Sequence, residues 1–244
     1  VLFARRADNG RVIDADTECI GLSVGLDLEQ QRRPLVERAV NAQSLYGCAA
    51  IMPFLNGSKE QRVKDYFRYW HGYLVVARPT LAVMPYNDLR GFLFTISAGL
   101  FFWLLWRIGE DFGRMTALAL ALPFVVINAM GLWVVATKAV TWFLAIGAGL
   151  ALGRCKSAET PLILFFMLGA LTAFFDFFTA PAFVFFFAAF VSALYERRAG
   201  RRPTWRALAL QGAFWGVGWA GFLLIKIAIA DAVLDAGVWR DFLD

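Results

Sequence analysis

Between Pro161 and Leu194 the chain carries a single charged residue, Asp176, set in the string FFDFFTAP. One bilayer crossing takes about 20 apolar residues, so a run this long must fold back on itself, and Asp176, Thr179 and Pro181 mark the turn. An acid beside hydrocarbon costs roughly 2.5 to 3.5 kcal/mol on insertion scales, and such residues face a cavity, a partner or the interface. Asp176 is therefore a site candidate. The bland alternative is a carboxylate that pins the turn by accepting backbone amides near Thr179.

With 59% hydrophobic and 16% aromatic residues and a mean hydropathy of +0.58, the chain lies well beyond the roughly 45 to 50% apolar content of soluble domains. An all-α, polytopic transmembrane helix bundle is expected, preceded by an N-terminal helical extracytoplasmic segment. Residues 1–88 are the polar, lid-like part and residues 89–244 the bundle of about six helices. The chain starts without Met or a readable signal peptide, and is expected to be a piece of a longer parent whose remaining helices would be partners. The net charge of +5 does not point to nucleic acid, because the cations are spread along the chain instead of forming one basic face.

Apolar runs fall at about Gly91–Trp106, Met115–Met130, Ala139–Leu152, Leu162–Phe175, Ala182–Tyr195 and Ala207–Ala230. Lys and Arg collect in short cytoplasmic loops. Arg107 and Arg114 separate the first two runs, Arg154 and Lys156 the third and fourth, and Arg197, Arg198, Arg201, Arg202 and Arg206 the last two. The alternate connections carry only Lys138, or in the case of the Asp176 turn no cation. The region ending at Arg90, the Asp176 turn and the tail from Asp231 are thus expected on the extracytoplasmic face of a bacterial inner membrane. Lys226, near the outer end of its run, reads as a snorkelling side chain.

Within residues 1–88, Pro34 is expected to open a helix that ends at Pro53. Ser58 followed by Gln61 has capping-box spacing, which predicts a second helix running to the segment before Pro79. Tyr66, Trp70, Tyr73 and Ala77 would form one stripe of that helix, and Lys64, Arg68 and His71 the opposite one. Solvated cations on an interfacial helix account for the same pattern. Three cysteines without close spacing exclude the usual zinc patterns. Cys19 and Cys48 either pair in an oxidising compartment or, the reading favoured by sequence, remain buried free thiols.

Phosphate loops, GxSxG and HExxH are absent from the sequence, and His71 is its one histidine. No metal ligands and no cofactor are indicated, although a divalent cation would be compatible with the chemistry. What remains is the acid cluster Asp14, Asp16 and Glu18, the string DYFRYWHGYLVVARP with the following YNDLR, and the Asp176 turn. Carboxylates act as general bases when their surroundings tune them, and Arg and His hold phosphates through charge-assisted hydrogen bonds. Arg78 and Arg90 read equally well as anchors at the membrane surface, and the acids as favourable charges at a helix N-terminus.

The strings YFRYWHGYLVVARPTL, YNDLR and GALTAFFDFFTAP resemble a family of bacterial multi-pass membrane proteins with an RYWHGY segment and a DFLTxP-like turn. That family in turn resembles GT-C type glycosyltransferases, which take sugars from polyprenyl-phosphate donors. The resemblance implies a membrane lipid and a polyprenyl-phosphate sugar donor as partners, and a cell-envelope acceptor. It also implies catalytic acids at Glu18, Asp16 and Asp14, with Arg68, His71, Arg78, Arg90, Lys138 and Asp176 as substrate-binding candidates. Two other function classes fit the same sequence: a transporter or flippase of an amphipathic substrate, and a noncatalytic membrane assembly protein.

Overall fold

The computed structural model describes residues 15–25, 34–45, 51, 53, 63–66, 69–126, 131, 133–155, 160–175, 180–234 and 237–239. In chain order they include α1 (Ala15–Gly25), α2 (Leu35–Val40), β1 (Ala42–Leu45), β2 (Val63–Tyr66), α3 (Leu74–Val83), α4 (Tyr86–Phe112), α5 (Arg114–Val126), α6 (Ala136–Leu152), α7 (Thr160–Phe175), α8 (Pro181–Arg198) and α9 (Trp205–Leu234). Each apolar run of the sequence lies, over its described residues, on one of α4 to α9. Pro85 precedes α4 and Pro181 opens α8, where a missing amide hydrogen costs nothing. Gly113, at φ 90°, makes the sharp reversal from α4 into α5 that a side chain would resist.

Successive long helices alternate in direction. α5 returns along α4, with Gly109 facing Ala117 and the Phe101 ring edge-on to Phe124 at 5.1 Å. α6 runs parallel to α4, since Leu89 packs with Ala139 near one end and Leu104 against Gly149 farther along. α8 follows α6, with Trp142 and Phe183 at 4.9 Å and Gly153 beneath Tyr195. α9 opposes α8, because the Gln211 amide donates to Ser192 at 3.0 Å while Trp215 meets Phe185 at 5.6 Å.

The closest helix pair is α7 with α9. Gly169 lies on the backbone of Trp215 and Trp219, and Gly218 on the backbone of Phe166 and Ala170. A β-carbon at either glycine would fall on a carbonyl oxygen of the other helix, so these two residues set how near the backbones come. The main core is aromatic: Phe124 touches Phe101, Trp142, Phe183 and Phe187 in edge-to-face geometry. Outward-facing positions are also apolar, among them Phe102, Leu118, Leu122, Phe186, Val217 and Ile225. α4 and α9 are long and apolar enough to cross a membrane, whereas α5, α6 and α7 are apolar but shorter.

The N-terminal part departs from expectation in three places. It is not purely helical: β1 and β2 pair antiparallel, with Ala42 opposite Tyr66 and Leu45 opposite Val63, and the Leu45 amide donates to Ser23 Oγ at 3.1 Å. The helix opened by Pro34 ends at Val40, far short of Pro53, because the chain then enters β1. No helix spans Ser58 to Pro79. Residues 63–66 are strand, Trp70 to Tyr73 form a turn, and α3 starts at Leu74 and contains Pro79. The turn follows from His71 at φ 55° and from the approach of Gly72 to α7, neither compatible with a continuing helix.

Candidate functional site

The RYWHGY segment ties the N-terminal elements to one end of the bundle. The Trp70 indole donates to the Phe222 carbonyl of α9 at 3.0 Å, and its ring lies against Phe174 and Phe222. The Gly72 amide donates to the Phe174 carbonyl at the end of α7, at 2.9 Å, and a β-carbon at Gly72 would overlap both that carbonyl and the Phe174 ring. The Tyr73 hydroxyl donates to the Gly21 carbonyl of α1 at 2.8 Å, and the Arg78 guanidinium to Val24 at 3.3 Å. Three residues of one turn thus hold α1, α7 and α9 together.

Lys226 completes this clamp. It is fully buried, its ammonium donates to the Val40 carbonyl at the end of α2, and it lies 5.7 Å from the centre of the Trp70 ring. A carbonyl and an aromatic face together compensate a cation removed from water. This corrects the snorkelling reading: α2 covers the side chain before it can reach a surface, and Val40, Leu223, Ile227, Ala230 and Val238 form the apolar cluster around the contact.

The backbone places Asp16 and Glu18 in the first turn of α1. Asp14, Arg68 and Asp176 lie outside the described residues, as does Cys48. His71 is buried at the turn, its ring edge-on to Tyr73 at 6.2 Å, so the stripe proposed for Lys64, Arg68 and His71 on one helix does not exist. Arg90 is half-buried in α4 with its guanidinium 6.0 Å from the Tyr86 ring centre. Lys138 is buried in the first turn of α6. Leu89 and Ala139, next to Arg90 and Lys138, share a cluster with Leu81 and Met84, and α1 touches both α3 and α6. The elements carrying Asp16, Glu18, His71, Arg78, Arg90 and Lys138 therefore gather at one end of the bundle.

Cys19 is buried and disulfide-bonded, which corrects the expectation of a free thiol there. Cys155 is free and half-buried, and burial pushes its thiol pKa up. Among the described residues no group of three or more His, Cys, Asp or Glu could hold a metal ion.

At the opposite end, a cluster that motif reading missed links two elements. Asp111 of α4 pairs with Arg198 of α8, accepts a hydrogen bond from the Tyr195 hydroxyl at 2.9 Å, and lies 3.7 Å from Arg107. The i,i+4 spacing of Arg107 and Asp111 was the available sequence signal. Clefts of about 330, 560 and 260 Å³ open around this arginine-rich end. Compared with protein-family models, curated proteins and solved structures, the chain matches none.

Proposed function

We propose that the chain is a multi-pass protein of a bacterial cell membrane, with the clamp end outside and the arginine end in the cytoplasm. We infer that its outer end serves a glycosyltransferase that moves a sugar from a polyprenyl-phosphate donor to a cell-envelope acceptor. The membrane part is supported by the length of α4 and α9, by the apolar outer faces of the bundle and by the alternating helix directions. The outer position of α1 is supported by the Cys19 disulfide, since such bonds persist in oxidising compartments.

One observation carries the enzyme reading: α1, whose first turn holds Asp16 and Glu18, is docked on the same end of the bundle as Arg90 and Lys138. In an inverting transfer, a carboxylate of α1 takes the proton from the acceptor hydroxyl while the lipid phosphate departs. Arg90 and Lys138 supply the positive charge that stabilises this leaving group. A noncatalytic assembly protein is the second reading. It is favoured by the commitment of Trp70, Gly72, Tyr73 and Arg78 to backbone carbonyls.

The test is purification of the full-length protein with its native lipids, followed by mass spectrometry of bound polyprenyl phosphate and analysis of envelope glycans. Glu18→Gln is expected to keep the lipid and lose the product; Arg90→Gln with Lys138→Gln is expected to lose the lipid. Unchanged lipid and glycans in both variants would discard the enzyme in favour of the assembly protein.

A further inference from the structure

At the arginine end, a cleft of about 260 Å³ opens between α4 and the residues after α6, lined by Trp103, Trp106, Arg107, Leu150, Arg154 and Tyr195 among others. Charge there is unbalanced. Asp111 is shared by Arg107, Arg198 and the Tyr195 hydroxyl, so one carboxylate answers two guanidinium groups. Arg154 has no carboxylate partner among the described residues; its guanidinium lies 5.9 Å from the Trp103 ring centre. Of the other acids at this end, Glu110 points to solvent and Glu196 lines the neighbouring clefts.

We propose that this cleft is a headgroup site for an anionic phospholipid, with the phosphate held between Arg107 and Arg154. A guanidinium offers a planar fork that matches phosphate oxygens, and basic pockets between helices on the cytoplasmic side favour anionic headgroups. Trp103 and Trp106 are both exposed and lie one helical turn apart on α4. They present the apolar body and polar edge that suit the level where headgroup meets acyl chain. A soluble phosphate would use the arginines alone, whereas the two indoles beside them select a ligand that is also apolar. The inference needs the membrane embedding proposed above and is independent of any transferase activity.

Native mass spectrometry of the full chain in mild detergent, with phosphatidylglycerol or phosphatidylcholine added, tests it. Two arginines near a headgroup correspond to an anionic preference of about 30-fold. Arg154→Gln is expected to remove most of that preference and Arg107→Gln with Arg154→Gln all of it, while Arg202→Gln with Arg206→Gln, outside the cleft, leaves it intact. Equal retention of both lipids by the wild type would overturn the proposal, as would an equal loss in the Arg202 and Arg206 variant. Inorganic phosphate forms the second arm. If millimolar phosphate displaces the lipid and binds with the same arginine dependence, the ligand is a soluble anion and the lipid proposal is wrong; if the lipid stays, it stands. Because Arg107 and Arg154 lie at the far end from α1, failure here leaves the Glu18→Gln result untouched.

Discussion

The nearest neighbours of Gly72 are the ring and carbonyl of Phe174, and no other side chain fits that space. Gly72→Ala is expected to destabilise the folded protein by about 1 to 3 kcal/mol, read as a lower unfolding midpoint in detergent. His71 tests the difference between frame and site. Its left-handed backbone carries strain of about 1 to 2 kcal/mol for a residue with a side chain, so His71→Gly is expected to hold or raise the unfolding midpoint. Loss of lipid turnover with that midpoint preserved would give the imidazole a role in the substrate site. Lys226→Met leaves the Val40 carbonyl without its donor, and faster hydrogen exchange over residues 35–45 is the expected result. None of these contacts was legible in the sequence. Gly72 and Phe174 are far apart along the chain, and the φ of His71 follows from that distant contact, not from local propensity.

Among the elements, the long helices were the legible part. Their apolar runs are set by the solvent they exclude, and the observed helices differ from them mainly by added polar ends such as Tyr86 to Arg90 and Arg197 to Arg198. β1 and the shortened α2 were illegible because their partners, β2 and α9, lie elsewhere in the chain. Pro79 misled the reading of α3 for another reason: it lies inside the helix Leu74–Val83, where its ring removes the amide hydrogen bond to the carbonyl four residues back without ending the helix. Of the candidate site, the acids at the head of α1 were read at a helix start from sequence, whereas Arg90 and Lys138, read as lying just outside their apolar runs, fall within α4 and α6, and the buried position of His71 was not legible. The pair α7 and α9 gives a prediction at this scale. Gly169→Val or Gly218→Val forces the backbones apart, and each is expected to abolish crosslinking between cysteines introduced at Phe174 and Phe222, whose rings lie 6.0 Å apart, while the same substitution at Gly216, where a side chain meets open space, leaves crosslinking intact.

For the molecule as a whole, the distribution of charge and thiols makes orientation measurable. Cys155 is a free thiol at the arginine end, so a membrane-impermeant maleimide is expected to label it in inverted vesicles and not in intact cells. Burial raises its pKa and the thiolate is the reactive form. Labelling should therefore be slow at neutral pH and quicken as pH rises through and above the ordinary thiol range; labelling from the periplasmic side would reverse the proposed orientation. Reduction of the Cys19 disulfide is expected to open the α1 region to protease while α4 to α9 stay resistant, because α1 is then held by packing and by hydrogen bonds such as those to Tyr73, Arg78 and Leu45, with no covalent tie.

The wedge of Trp70 and Gly72 between the end of α7 and the middle of α9 also governs how the N-terminal elements can move. N-terminal elements bolted to that pair are unable to swing as an independent flap; under the proposed function a bulky lipid tail would then enter through the flank where α4 and α6 meet, or the α7 and α9 couple would tilt with them.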